Sequence, residues 1–144
     1  MKKLKKTLVS LLTALCLCTG TAVSAEAARP IGGETVMPMY EIANNPTAKL
    51  SISGTTATCT SETKSQSAVS ITVTHTLQKK SGSSSWSDLP DTTQSKTVSA
   101  SNIRFTSTES GLASGTYRLK AVFTLKNASG KTETFTIYSD EKSC

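Results

Sequence analysis

The chain has 144 residues, of which 36% are hydrophobic and 18% charged, with 16 Lys and Arg against 10 Asp and Glu for a formal net charge of +6. This length suits one ordinary domain. Lys2, Lys3, Lys5 and Lys6 crowd the amino end, so the excess is local and argues against the clustered basic face that a nucleic-acid partner needs.

Those lysines are followed by an apolar run, Leu8 to Cys18, and then by small residues, Thr19 to Ala25. This is the three-part layout of an export signal. Lysines hold the amino end on the cytoplasmic side, the apolar run enters the bilayer, and small side chains fit the peptidase. Val23-Ser24-Ala25 points to cleavage after Ala25; Glu26-Ala27-Ala28 leaves cleavage after Ala28 open. The run is about half the ~20 residues that span a bilayer, so it reads as a signal rather than an anchor. Cys16 and Cys18 both follow leucine, which does not suit lipid attachment. With no second apolar stretch, the product is expected to be secreted, without a membrane span.

Loss of residues 1–25 leaves 119 residues with 12 basic and 10 acidic side chains, a net charge of +2. Four cysteines become two, Cys59 and Cys144. An even pair in an exported protein suggests one disulfide. Closing that interval would contribute roughly 4.6 kcal/mol in the chain-entropy model. Forty of the 119 residues are Ser or Thr, which suits strands, turns and wet faces.

Residues 26–47 read as an extended segment with Pro30, Gly32-Gly33 and Pro38, and Asn44-Asn45-Pro46 as a turn. A single domain is expected over 48–144. Leu50 and Ile52 alternate with polar residues in a first strand, and Ala57, Cys59 and Ser61 share one side of a second. Val69, Ile71, Val73, His75 and Leu77 alternate strictly with Ser and Thr, which puts one face in a core. Lys79 to Ser85 is a polar turn, and Trp86 to Leu89 a short edge strand stopped by Pro90-Asp91. Lys96 to Ala100 and Ile103 to Thr106 form one strand or two. Tyr117, Leu119, Ala121, Phe123 and Leu125 line one face of a further strand, opposite Arg118 and Lys120. A hairpin through Asn127 to Gly130 leads to a last strand with Phe135 and Ile137 on one face and Tyr138 on the other. About seven short strands with frequent turns argue for an all-β sandwich, with a barrel as the alternative.

The stretch Leu112-Ala113-Ser114-Gly115-Thr116-Tyr117-Arg118-Leu119 resembles the tyrosine corner of immunoglobulin-like and fibronectin type III-like domains. There, a Tyr opens the penultimate strand and its hydroxyl caps upstream backbone. Antibody-type domains have Asp where Ala113 stands and Cys where Leu119 stands, so their inter-sheet bridge is absent, and Cys59 would reach Cys144 instead. Leu77-Gln78-Lys79-Lys80, Trp86 and Gly115 to Leu119 also look like small uncharacterised secreted domains of Gram-positive bacteria. That resemblance implies a fold and a location but no site.

Candidate chemistry is sparse. His75 is the only histidine and the acids are scattered, so neither a metal cluster nor a base with an orienting partner is apparent. His75 reads as a half-buried structural residue near a strand end. Ser83 to Ser85 with Asp88 and His75 lack a strained nucleophile turn. Trp86, between polar residues, is either a platform for a sugar or peptide or a cover for the sandwich edge. Tyr138 raises the same question, and Lys79-Lys80 are either a solvated turn or an attraction for wall anions. Asn127-Ala128-Ser129 matches a glycosylation acceptor, which a bacterial source would make incidental. The expectation is a secreted, non-enzymatic domain without cofactor that binds an extracellular protein or glycan. A small secreted inhibitor of an extracellular enzyme is the alternative.

Overall fold

A computed structural model describes residues 40–144. The expected signal at 1–25 and residues 26–39 of the segment read as extended lie outside the described residues. The remainder is all-β, with nine strands and a single 3-10 turn. The strands are β1 (Ala43–Ser53), β2 (Thr56–Ser65), β3 (Ala68–Lys80), β4 (Trp86–Asp88), β5 (Gln94–Val98), β6 (Asn102–Glu109), β7 (Thr116–Asn127), β8 (Thr132–Tyr138) and β9 (Lys142–Ser143). No helix among the described residues is long and apolar enough to cross a membrane.

All pairings are antiparallel and fall into two sheets. One runs β1-β2-β6, the other β4-β3-β7-β8, with β5 also on β3 and β9 also on β7. β4 and β5 pair with successive stretches of β3, separated by the turn Pro90–Thr92; β8 and β9 share β7 in the same way. The nine strands therefore occupy three lanes and four lanes.

Period-two alternation builds the core. Ile71, Val73 and Leu77 on β3 and Leu119, Ala121, Phe123 and Leu125 on β7 are buried. Leu50, Ala57, Cys59, Ile103 and Phe105 from the other sheet join them in one continuous cluster, giving a sandwich-like packing. Burying such a side chain contributes roughly 1.5–3 kcal/mol. The outer face of the larger sheet carries hydroxyls in cross-strand pairs: Thr72–Thr97 at 2.8 Å, Thr74–Ser95 at 3.0 Å and Thr124–Thr134 at 3.1 Å.

Several expectations are corrected. Asn44-Asn45-Pro46 is no turn ending a leader; it is a bulge within β1, with Asn45 at φ +48° and the register shifted between Asn44 and Thr47. A bulge and a proline suit an edge strand, because they spoil it as a template for another chain. The strand thus starts at Ala43, inside the segment read as extended. Its anchor is Glu133 of β8, whose carboxylate accepts the backbone N–H groups of Glu41, Ile42 and Ala43 at 2.9–3.1 Å. Val69 is not in the core but 48% exposed, because the register shifts between Ala68 and Ser70 and Ala68 takes the inward place. The segment 96–106 is two strands in different sheets. Gly54 and Gly130 fulfil the turn roles, at φ +57° and +87°, where a side chain would be strained.

The disulfide is also corrected. Cys59 and Cys144 are both free thiols. Cys59 points inward from β2, opposite Leu50 and Ser107. The Cys144 thiol donates to the carbonyl of Gly54 at 3.3 Å, at the turn end of the same strand. Five residues at ~3.3 Å each put Cys59 roughly 16 Å from that turn, whereas bridged Cα atoms lie about 4.4–6.8 Å apart. Burial pushes the Cys59 thiol up to about 11, which keeps it protonated and a poor nucleophile.

Candidate functional site

Polar chemistry gathers in three places, and their geometry separates them.

The first is inside. His75 sits mid-strand on β3 and is 1% exposed, a correction to the half-buried reading. Its Nε2 is 2.6 Å from Ser61 Oγ of β2, and its Nδ1 is 2.7 Å from Ser107 Oγ of β6. The ring stacks on Phe105 with centroids 4.4 Å apart. A neutral imidazole has one N–H and one bare nitrogen. One serine accepts from the ring and the other donates to it, so both nitrogens are satisfied. Burial lowers the pKa to about 4, because the charged form has no solvent and no carboxylate to offset desolvation. A serine beside a histidine has the composition of a nucleophile and its base. Here the second nitrogen meets another serine rather than an orienting acid, and Ser61 is fully buried. Ser83 to Ser85 are exposed, and Asp88 hydrogen-bonds on the opposite side of β3, so neither reaches the imidazole.

The second lies at the β1 bulge. A cavity of about 450 Å³ is lined by Asn44, Asn45, Thr47, Glu62, Lys64, Asn102 and Arg104, over Thr63 and Ile103. Its one ion pair, Glu62–Arg104, spans 3.8 Å between well-exposed side chains. Such a pair contributes little and holds neither partner firmly.

The third is on the outer face of the larger sheet and contains two of the residues expected from sequence. Trp86 enters from the edge on β4, and Tyr138 from the other side on β8. Between them the Arg118 guanidinium of β7 lies 4.3 Å from the Trp86 ring and 4.0 Å from the Tyr138 ring. The register makes this possible. Arg118 and Asp88 both pair with Gln78, while Trp86 pairs with Lys80 and Tyr138 with Lys120. The rings therefore stand one row to either side of Arg118 and close on it diagonally. Gln78 Oε1 accepts from Arg118 Nε at 2.7 Å, and Gln78 Nε2 donates to Asp88 Oδ1 at 2.5 Å. Lys120 pairs with Asp88 and Lys80 with Glu141, each at 2.9 Å, and Lys80 also lies over the Trp86 ring. Asp88 is held below the usual carboxylate range by the Gln78 and Lys120 hydrogen bonds and by the Lys120 and Arg118 charges. Tyr138 is 46% exposed, one of two large apolar side chains so placed.

Lys79 does not join this group. It pairs with Tyr117 on the inward parity and lies 5.5 Å over that ring. Tyr117 itself donates to the Ala113 carbonyl at 2.5 Å, tying the start of β7 to the preceding loop. Arg118, the centre of the stack, had no signal beyond its polar parity. Comparison with known proteins found no matching family model, no matching curated protein and no matching solved structure.

Proposed function

We propose that the chain is a secreted, non-enzymatic β-sandwich that binds a partner outside the cell through the Trp86–Arg118–Tyr138 face. The stack carries this reading. Trp, Tyr and Arg are the side chains that concentrate binding energy in interfaces. Here the sole tryptophan, an exposed tyrosine and an arginine converge on one open sheet face. Cross-strand register places all three and a hydrogen bond to Gln78 holds Arg118, which reduces the side-chain freedom to be lost on association. The one histidine faces inward, where it meets two serines rather than an acid.

The immunoglobulin-like, fibronectin III-like form of the sandwich belongs to the same proposal. It is supported by three lanes facing four, with the order β1-β2-β6 opposite β4/β5-β3-β7-β8. The Tyr117–Ala113 hydrogen bond at the head of the penultimate long strand supports it too. The layout at the amino end supports export.

The test is a cell-wall pull-down and a glycan array with wild type and Trp86→Ala. Binding that falls at least about tenfold on substitution, with the fold retained by circular dichroism, is the expected result. Equal retention of both proteins, or of neither, refutes the assignment of binding to this face. Inhibition of a co-secreted hydrolase without surface binding would favour the inhibitor reading.

A further inference from the structure

We infer that the Trp86–Arg118–Tyr138 stack is a receptor for an oxyanion, a carboxylate or a phosphate carried by an extracellular polymer. The inference rests on the binding face proposed above and names the chemistry it would recognise.

The argument is one of unspent donors. Arginine carries five N–H groups in a planar fork and keeps its charge at any relevant pH. In Arg118 the guanidinium carbon lies 4.3 Å from the Trp86 ring centroid and 4.0 Å from that of Tyr138, with one ring reaching it from the β4 side and the other from β8. The Nε–H is used by Gln78, a neutral amide. The guanidinium is thus fixed in direction, and its Nη edge is the part left to meet a ligand. The neighbouring acids do not occupy that edge. Asp88 gives one oxygen to Gln78 and the other to Lys120, and both Glu141 oxygens go to Lys80. Among the described residues no side chain accepts a hydrogen bond from Arg118 Nη.

Charge points the same way. Lys80 is matched by Glu141 and Lys120 by Asp88, while the hydrogen-bond partner of Arg118 is uncharged. One positive charge is left over, at the centre of a half-exposed patch. A guanidinium edge accepts a carboxylate or phosphate through two parallel N–H···O bonds, the strongest ordinary form of such contact. The two aromatic contacts limit the directions the guanidinium can take. At the β1 cavity the cation, Arg104, is 73% exposed with a carboxylate beside it, and neither condition is met.

Trp86 provides the readout, because it is the only tryptophan and touches Arg118. The purified protein is titrated at low ionic strength with polyphosphate in one arm and poly-L-glutamate in the other. Saturable change in tryptophan fluorescence with at least one polymer is expected, and the stronger arm tells phosphate from carboxylate. Arg118→Gln should abolish it. Arg118→Lys keeps the charge but loses the fork, and should weaken binding at least about tenfold. Circular dichroism and melting curves check that both variants fold. Binding by Arg118→Lys equal to wild type would show attraction to net charge alone and overturn the inference. Silence in both arms would overturn it as well. Wall or glycan binding that needs Trp86 but ignores Arg118→Lys and added polyanion would leave the binding face standing and remove only the oxyanion.

Discussion

Strand β3 separates two polar constellations of opposite design. On its inner side His75 is enclosed by Ser61, Ser107 and Phe105, and each ring nitrogen has one partner. On its outer side, Gln78 steadies an arginine that uses one of its five N–H groups. Both are well ordered by hydrogen bonds and ring stacking. They differ in what is left over. The inner group has no unsatisfied buried polar atom, so its hydrogen bonds contribute to folding. The outer group keeps donors in reserve on an open face, so it can contribute to recognition at little cost to the fold. Substitutions on the two sides should therefore separate stability from binding.

The largest effect belongs to the inner group. His75→Ala removes a packed ring and orphans two buried hydroxyls. Cavity and desolvation costs together come to about 3–5 kcal/mol. Against a typical net stability of about 5–15 kcal/mol, such a change would shift a urea midpoint far down. A variant that melts with the wild type would show that the serines find other partners and that the network is dispensable. The combined His75→Leu, Ser61→Ala, Ser107→Ala change removes every polar group together and should recover much of the loss, because no orphan remains.

Acid should break the same group without mutation. The imidazole has an ordinary pKa of 6.5 and is lowered to about 4 in the fold. As pH falls, the unfolded chain takes up the proton first. The contribution is complete above pH 6.5 and is lost progressively on the way down to about 4. At roughly 1.4 kcal/mol per pKa unit this amounts to about 3 kcal/mol. No charged residue forms a direct contact with the ring; Ser61, Ser107 and Phe105 are neutral, and the neighbouring Cys59 is protonated throughout. Asp88, whose pKa is lowered from 3.8, acts below this window. Urea denaturation at pH 7 and pH 4.5 should show the loss in wild type and not in the triple variant. Parallel curves for the two proteins would assign the acid sensitivity elsewhere.

Much of the inner face was legible from sequence. The alternation through Ile71 to Leu77 and through Tyr117 to Leu125 names most buried residues of the larger sheet, because a half-buried strand must repeat every two residues. The parity of His75 and of Ser61 was visible as well. Their meeting was not, since Ser107 is one hydroxyl among many and lies 32 residues from His75. Bulges erased other signals: the shift after Ala68 inverted Val69, and the one in β1 made a strand segment look like a turn. The even cysteine count suggested a bridge but carried no information about where along the strands each thiol sits. On the outer face, Trp86 and Tyr138 stood out singly as aromatics in polar surroundings. Arg118 did not, because its place between them is set by the register of four strands.

The smallest expected effect is the one that sharpens the contrast. Arg118→Gln removes two cation–π contacts at about 0.5–1 kcal/mol each and the donor to the buried Gln78 Oε1. Glutamine can still hydrogen-bond toward Gln78, so the stability loss should be about 1 kcal/mol, well below that of His75→Ala. A urea curve measured beside the His75 variants decides it. If Arg118→Gln costs as much as His75→Ala, the stack is a structural clamp that joins β4 and β8 to the sheet, and its exposed donors are incidental. A small loss means that an ordered arginine is kept on the surface with little return in stability, which leaves its four remaining N–H groups available to a ligand.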